Sequence, residues 1–245
     1  MTRKWKRLGW IGLGACGLLL ALPASPAAQS ASSSWPPLAS GEKLIYNLLW
    51  PSGISLGEAV LQASPAGSEI HLEATVVADL PQHHVVYTFS SVATEQLCSV
   101  RFRQRLREGS NSVDESYEFD QKNHKVRRVQ NGRASESPIP ECARDPLTLL
   151  YAFRQQLAFR QLAIGTPEAV GAFYLGGDFS VRYEAVTPEE VQLGSKKWDG
   201  DRFLITARGP HGEQSMEVWI RPDTARAPVA VKIPFPLARF SAELE

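Results

Sequence analysis

The sequence predicts a mostly β protein: an antiparallel curved sheet or barrel-like single domain with one packed α-helix. Three observations carry this. Segments with apolar residues at every second position recur every 10 to 15 residues along most of the chain. Turn-forming pairs fall between them, among them Asn131-Gly132, Gly176-Gly177 and Gly209-Pro210. One clear stretch has helical spacing, and no strand–helix alternation marks a parallel sheet. The 245 residues are 43% hydrophobic and 21% charged, which excludes disordered, collagenous and coiled-coil classes.

The first segment reads as an address. Arg3, Lys4, Lys6 and Arg7 precede an apolar run over 8–22, and small residues follow at Ala24, Ser25, Ala27 and Ala28. This is the pattern of a secretory signal peptide over 1–28. A retained transmembrane helix needs about 20 apolar residues, more than this run supplies. A second reading takes Leu13-Gly14-Ala15-Cys16 as a lipobox, with the mature lipoprotein anchored at Cys16, although the apolar run continues past that cysteine. Cleavage after 28 removes four basic groups and no acid, so the 26 of each sign become 22 basic against 26 acidic. A mature charge of −4 speaks against a nucleic-acid partner, and the signal segment makes the periplasm the expected location. The Ser/Pro-rich stretch 29–39 reads as a flexible leader, and 40–245 as a single β-rich domain.

Within that domain, strands are expected over 43–50, 54–62, 69–78, 85–92, 100–107, 113–120 and 125–130. A second series covers 169–175, 179–185, 190–193, 202–207, 215–221, 229–233 and 238–244, with a turn at Asp199-Gly200. Between the two series lies the helix, over about 146–158. Asp145 is its N-cap, Pro146 sits at the first helical position, and Leu147, Leu150, Tyr151 and Arg154 follow at helical spacing.

Two cysteines remain after cleavage, Cys98 and Cys142, and an oxidising compartment makes them a disulfide candidate. Between them, Arg101, Arg103, Arg105 and Arg107 share one strand face opposite Val100, Phe102 and Leu106. After the turn at 109–111, Asp114, Glu118 and Asp120 share a face opposite Val113, Tyr117 and Phe119. A hairpin sets the arginine row beside the acidic row. It is then either a cross-strand salt ladder or an anion-binding site reinforced by Lys122, Lys125, Arg127 and Arg128.

Catalytic patterns are absent from the sequence: no G-x-S-x-G, Walker A, H-E-x-x-H or G-x-G-x-x-G occurs. His83 and His84 are adjacent and face opposite ways in a strand, and His71, His124 and His211 are dispersed, so no metal or cofactor is implied. The aromatic residues are spread over the strands, and a barrel of this size either fills with them or keeps an apolar cavity.

Three groups of residues carry a resemblance. The opening group is Gly41-Glu42-Lys43-Leu44-Ile45-Tyr46 with Gly57-Glu58-Ala59. The central group is Asp145-Pro146-Leu147 with Leu150-Tyr151 and Arg154. The closing group is Val218-Trp219-Ile220-Arg221-Pro222-Asp223 with Pro228-Val229 and Ala242-Glu243-Leu244. In order and spacing they resemble the bacterial exported family known as domain of unknown function 3108. The resemblance implies an export signal and a strand-rich domain, and assigns no activity or catalytic residue. The resulting expectation is a non-enzymatic envelope module that binds or carries a lipid or apolar ligand. Two alternatives remain: an accessory protein that meets an envelope partner through an edge strand or the arginine row, and a hydrolase with a dispersed site.

Overall fold

The alternating segments do become strands. The computed structural model describes residues 35–80, 83–160, 163–193, 196–209, 212–235 and 238–245, so the predicted signal segment, residues 29–34 of the leader, Cys16 and His211 lie outside the described residues. The first half of the chain gives β1 (Glu42–Leu49), β2 (Ser55–Ala66), β3 (Glu69–Leu80), β4 (His83–Thr94), β5 (Ser99–Glu108), β6 (Asn111–Asp120), β7 (Lys125–Gln130) and β8 (Arg133–Pro138). The second half gives β9 (Pro167–Tyr174), β10 (Asp178–Ala185), β11 (Glu189–Leu193), β12 (Lys196–Gly209), β13 (Gly212–Ile220), β14 (Pro228–Phe235) and β15 (Ala238–Leu244). Two helices join them, a single turn α1 (Pro36–Ala39) and the long α2 (Pro146–Phe159).

All strands pair antiparallel in the order β8-β7-β6-β5-β4-β3-β2-β1-β15-β14-β13-β12-β10-β9, and β11 pairs with the first part of β12. The sheet curls but does not close, leaving β8 and β9 as its edges. Across the seam, Tyr174 on β9 packs its ring 6.4 Å from those of both Tyr117 and Phe119 on β6. The Tyr174 amide donates to the carbonyl of Arg144 at 2.9 Å. Side chains and the segment before α2 thus hold the halves together where a strand ladder is missing.

Helix α2 starts where its capping chemistry dictates. The Asp145 carboxylate accepts from the Leu147 and Thr148 amides, and the Thr148 hydroxyl accepts from the Asp145 amide. Leu147 and Tyr151 pack into the apolar cluster of β1–β4, whereas Phe153 and Leu157 pack into that of β9, β10, β12 and β13. One helix therefore bridges both halves, and each such side chain contributes roughly 1.5–3 kcal/mol of burial.

Two expectations are corrected, and one strand had none. The leader is anchored over its described part: Trp35 is buried and its indole donates to the Thr224 carbonyl at 2.7 Å. Asp199-Gly200 is no turn but lies inside β12, where the strand changes partner from β11 to β13. Gly200 packs beside Trp219, where an added Cβ would make an ordinary contact at 3.4 Å. Finally, β8 went unpredicted because its sequence, Arg-Ala-Ser-Glu-Ser-Pro, is almost wholly exposed and has no apolar alternation to read.

Candidate functional site

The hairpin β5–β6 sets Arg101 opposite Glu118 and Arg105 opposite Asp114. Arg103 grips Asp114 with two hydrogen bonds, of 2.9 and 2.6 Å, and Arg105 adds a third at 3.1 Å. Arg103 first, and Arg105 with it, hold the Asp114 carboxyl below the usual carboxylate range. Arg127 reaches Glu118 at 3.5 Å. Arg101 and Arg107 make no ion pair among the described residues. All four arginines point outward, as their shared parity predicts. Lys122, Lys125 and Arg127 are exposed near Arg101, where an open groove of about 700 Å³ also contains Glu118, Asp120 and Glu136. Arg128 is not part of this surface, because its register partner is Tyr117 on the inner face.

That inner face has a gradient. Near the end that holds α2 and the β2–β3 and β4–β5 turns, inward residues are buried: Leu61, Ile70, Leu72, Ala93 and Phe102. Toward the opposite end, called here the rim, the same rows become half-buried while staying apolar. In register these are Ala59, Val76, Tyr87, Leu106 and Val113, one on each of β2 to β6. Tyr87 stacks on Phe89 with centroids 5.5 Å apart. Across the curl, Ile205, Ala207, Met216 and Val231 are partly buried in the same way. Helix α2 thus fills one end of the curl, and an apolar wall reaches solvent at the other.

One polar cluster interrupts this wall. Glu115 is inward and buried, and its carboxylate accepts from the Gln104 amide at 3.0 Å, the Tyr117 hydroxyl at 2.6 Å and the Arg128 guanidinium at 2.9 Å. The Gln130 amide adds a fourth, short contact. Burial pushes the Glu115 carboxyl up, but Tyr117, Arg128 and Gln104 together outweigh it and hold it low. The sequence contained the signal for this cluster. Glu115 shares parity with Tyr117 and Phe119, and a carboxylate on an apolar face requires partners.

Elsewhere, buried polar groups serve the fold. Cys98 and Cys142 form a disulfide with Cα atoms 4.7 Å apart. Beside it, Asp145 is fully buried and accepts from the Ser91 and Ser99 hydroxyls, each at 2.6 Å. Burial pushes this carboxyl up, against the pull of its four donors. Both serines are buried, and their hydroxyls are held by a carboxylate, with no histidine or lysine bonded to either among the described residues. His84 pairs with Asp79 at 2.6 Å and His71 lies 3.7 Å from Glu69, both on the surface. Among the described residues, no three of His, Cys, Asp and Glu gather as a metal site. No helix among them is long and apolar enough to cross a membrane.

Comparison with known proteins bears on family and fold. The family described as "Protein of unknown function (DUF3108)" matches residues 44–245. Among solved structures, a β-barrel-like protein of domain of unknown function DUF1849 from Brucella abortus is similar with a TM-score of 0.59 at 10% identity. That match covers 83% of this chain and 94% of the other. A lipoprotein candidate from Parabacteroides distasonis overlaps with a TM-score of 0.31 at 11% identity, covering 83% of this chain and 92% of the other. An exported-protein candidate with a YmcC-like fold from Bacteroides fragilis gives 0.29 at 9% identity, with 83% and 93% coverage. The last two scores are too low to inform the fold. Among curated proteins, none matches this sequence.

Proposed function

The chain belongs to the DUF3108 family, and from that premise we propose a non-enzymatic binding module of the cell envelope that holds a lipid or other apolar ligand. The observation that carries this reading is the inner wall at the rim, where Ala59, Val76, Tyr87, Leu106 and Val113 face inward yet remain half-exposed. An apolar chain laid on that wall completes burial that the fold leaves unfinished. Each buried methylene contributes about 0.8 kcal/mol, so eight give about 6 kcal/mol, a Kd of tens of micromolar. The basic, apolar and small-residue order over 1–28 supports export to the periplasm as the setting. A hydrolase reading gains no support from Ser91 and Ser99, which are sealed in the core with Asp145.

Native mass spectrometry of mature protein, released from the periplasm without detergent, tests this reading. The expected spectrum carries an added mass of several hundred daltons that leaves on collisional activation. A bare mass that also fails to shift after incubation with a cell-envelope lipid extract would overturn it.

A further inference from the structure

One row of the inner face changes character as it crosses the sheet. In register, Leu44, Leu61, Ala74 and Phe89 run across β1–β4 and continue on β5–β8 as Gln104, Glu115, Gln130 and Arg133. The neighbouring row sets Phe102, Tyr117, Arg128 and Ser135 side by side. A cavity of about 440 Å³ opens at the polar end, lined by Arg128, Gln130, Asn131, Arg133, Ala134 and Ser135. No carboxylate lines it.

Charge in this corner is unbalanced. Glu115 and Arg128 cancel as a pair, and Gln104, Tyr117 and Gln130 each donate to the same carboxylate. Arg133 is exposed and has no ion pair among the described residues. Arg128 donates to Glu115 through Nη2 alone. Its Nε is buried without a partner, and its Nη1 lies beside Gly176 at the tip of the β9–β10 hairpin. The cavity therefore combines the uncompensated Arg133 cation with the Asn131 amide and the Ser135 hydroxyl. That donor set fits a carboxylate or phosphate.

We propose that this cavity receives the anionic head of a single-chain amphiphile whose tail lies along the apolar wall. The inference rests on the apolar-ligand reading above and adds the head-group chemistry to it. From Gln130 to Phe89 the path crosses three strand spacings, about 14 Å. An extended dodecyl chain spans about this distance and places its end at Phe89, the first apolar ring beyond the polar cluster.

The test titrates the mature protein with laurate, dodecyl phosphate, neutral dodecyl maltoside and inorganic phosphate by calorimetry, all below the micelle concentration. The two anionic amphiphiles are expected to bind about tenfold tighter than the maltoside, the worth of one charge-assisted contact. Arg133→Gln, on an exposed strand with no ion pair to lose among the described residues, is expected to abolish that preference. Equal binding of anionic and neutral amphiphiles, or a preference that survives Arg133→Gln, overturns the head site and leaves the apolar wall standing. Inorganic phosphate binding as tightly as dodecyl phosphate also overturns it, in favour of a free-anion site. Absence of any amphiphile binding overturns the apolar-ligand reading as well.

Discussion

Arg154 on α2 and Glu42 at the start of β1, 112 positions apart, form a two-pronged ion pair whose guanidinium is completely shielded from solvent. The same guanidinium donates to the carbonyls of Arg226 and Ala225 at 3.0 Å each, and lies over the rings of Trp35 and Tyr151. Four of its five N–H groups are thereby engaged. The pair brings together residues of all three groups that carry the resemblance: Glu42, Tyr151, Arg154 and Asp223, whose carboxylate holds the 225–226 turn. Tyr46 adds a bond from its hydroxyl to the Pro228 carbonyl at 3.0 Å. Gly57 belongs to the same opening pattern and sits where a Cβ would strike the Val77 carbonyl. These residues bind the sheet to its helix, away from the half-buried apolar wall.

Breaking that pair should be costly. Arg154→Met strands a buried carboxylate, and Glu42→Gln strands a buried guanidinium. Each should lose about 3–5 kcal/mol in urea unfolding. The double change Glu42→Leu with Arg154→Met should recover most of the loss, because no charge then remains unpaired. A double variant as unstable as the sum of its parts would contradict a charge-pair account.

The disulfide closes a loop of 44 positions between β5 and the residues leading into α2. Replacing Cys98 and Cys142 together by Ala should cost about 4 kcal/mol on the chain-entropy estimate, lowering Tm by roughly 10 °C. Thermal unfolding of the variant, and of wild type with and without reductant, checks this. A variant that melts with the oxidised protein would show that the bond contributes nothing.

Glu115 gives the pH dependence a sign. Its carboxyl titrates lower in the folded chain than in the unfolded one. Its contribution is therefore complete above the unfolded value, about 4.3, and is lost as pH falls through the folded value. Wild type should lose stability faster than Glu115→Gln as pH drops from 6 to 3. Asp145 has the opposite sign, since its carboxyl is raised, but it is common to both proteins and cancels in the difference. Parallel stability curves for wild type and variant would contradict the assignment.

The outer arginine row should be separable from ligand binding. Arg101→Gln with Arg107→Gln removes two exposed cations that have no ion pair among the described residues. We expect stability within about 0.5 kcal/mol of wild type and unchanged binding of an acyl probe. A large loss of probe binding would move the ligand to the outer face.

Fold class and helix were legible because their signals are local. Period-2 alternation marks half-buried strands, and Asp145-Pro146 marks the start of α2 from capping chemistry alone. The disulfide was legible from the two cysteines left after the expected signal segment. What escaped depends on tertiary context. β8 has no buried face to pattern, Asp199-Gly200 reads as a turn until Trp219 is packed beside it, and Trp35 looks like leader until the Thr224 carbonyl receives its indole. The arginine row was placed on the correct face, but Arg128 was grouped with it although its parity matches Tyr117 and Val126. The Glu115 cluster was missed for the same reason, since charge was read along the chain and not across the sheet.

The central claim is that the half-exposed inner wall binds an apolar chain. Titration of an environment-sensitive fluorescent acyl probe into wild type and into Val76→Glu tests it most directly, because Val76 is only half-buried and its replacement spares the buried end of the sheet. The account predicts saturable binding of one probe per wild-type chain, and loss of that binding in a variant with unchanged circular dichroism and melting. Equal saturable binding by the two proteins, or no saturable binding by wild type, would contradict it.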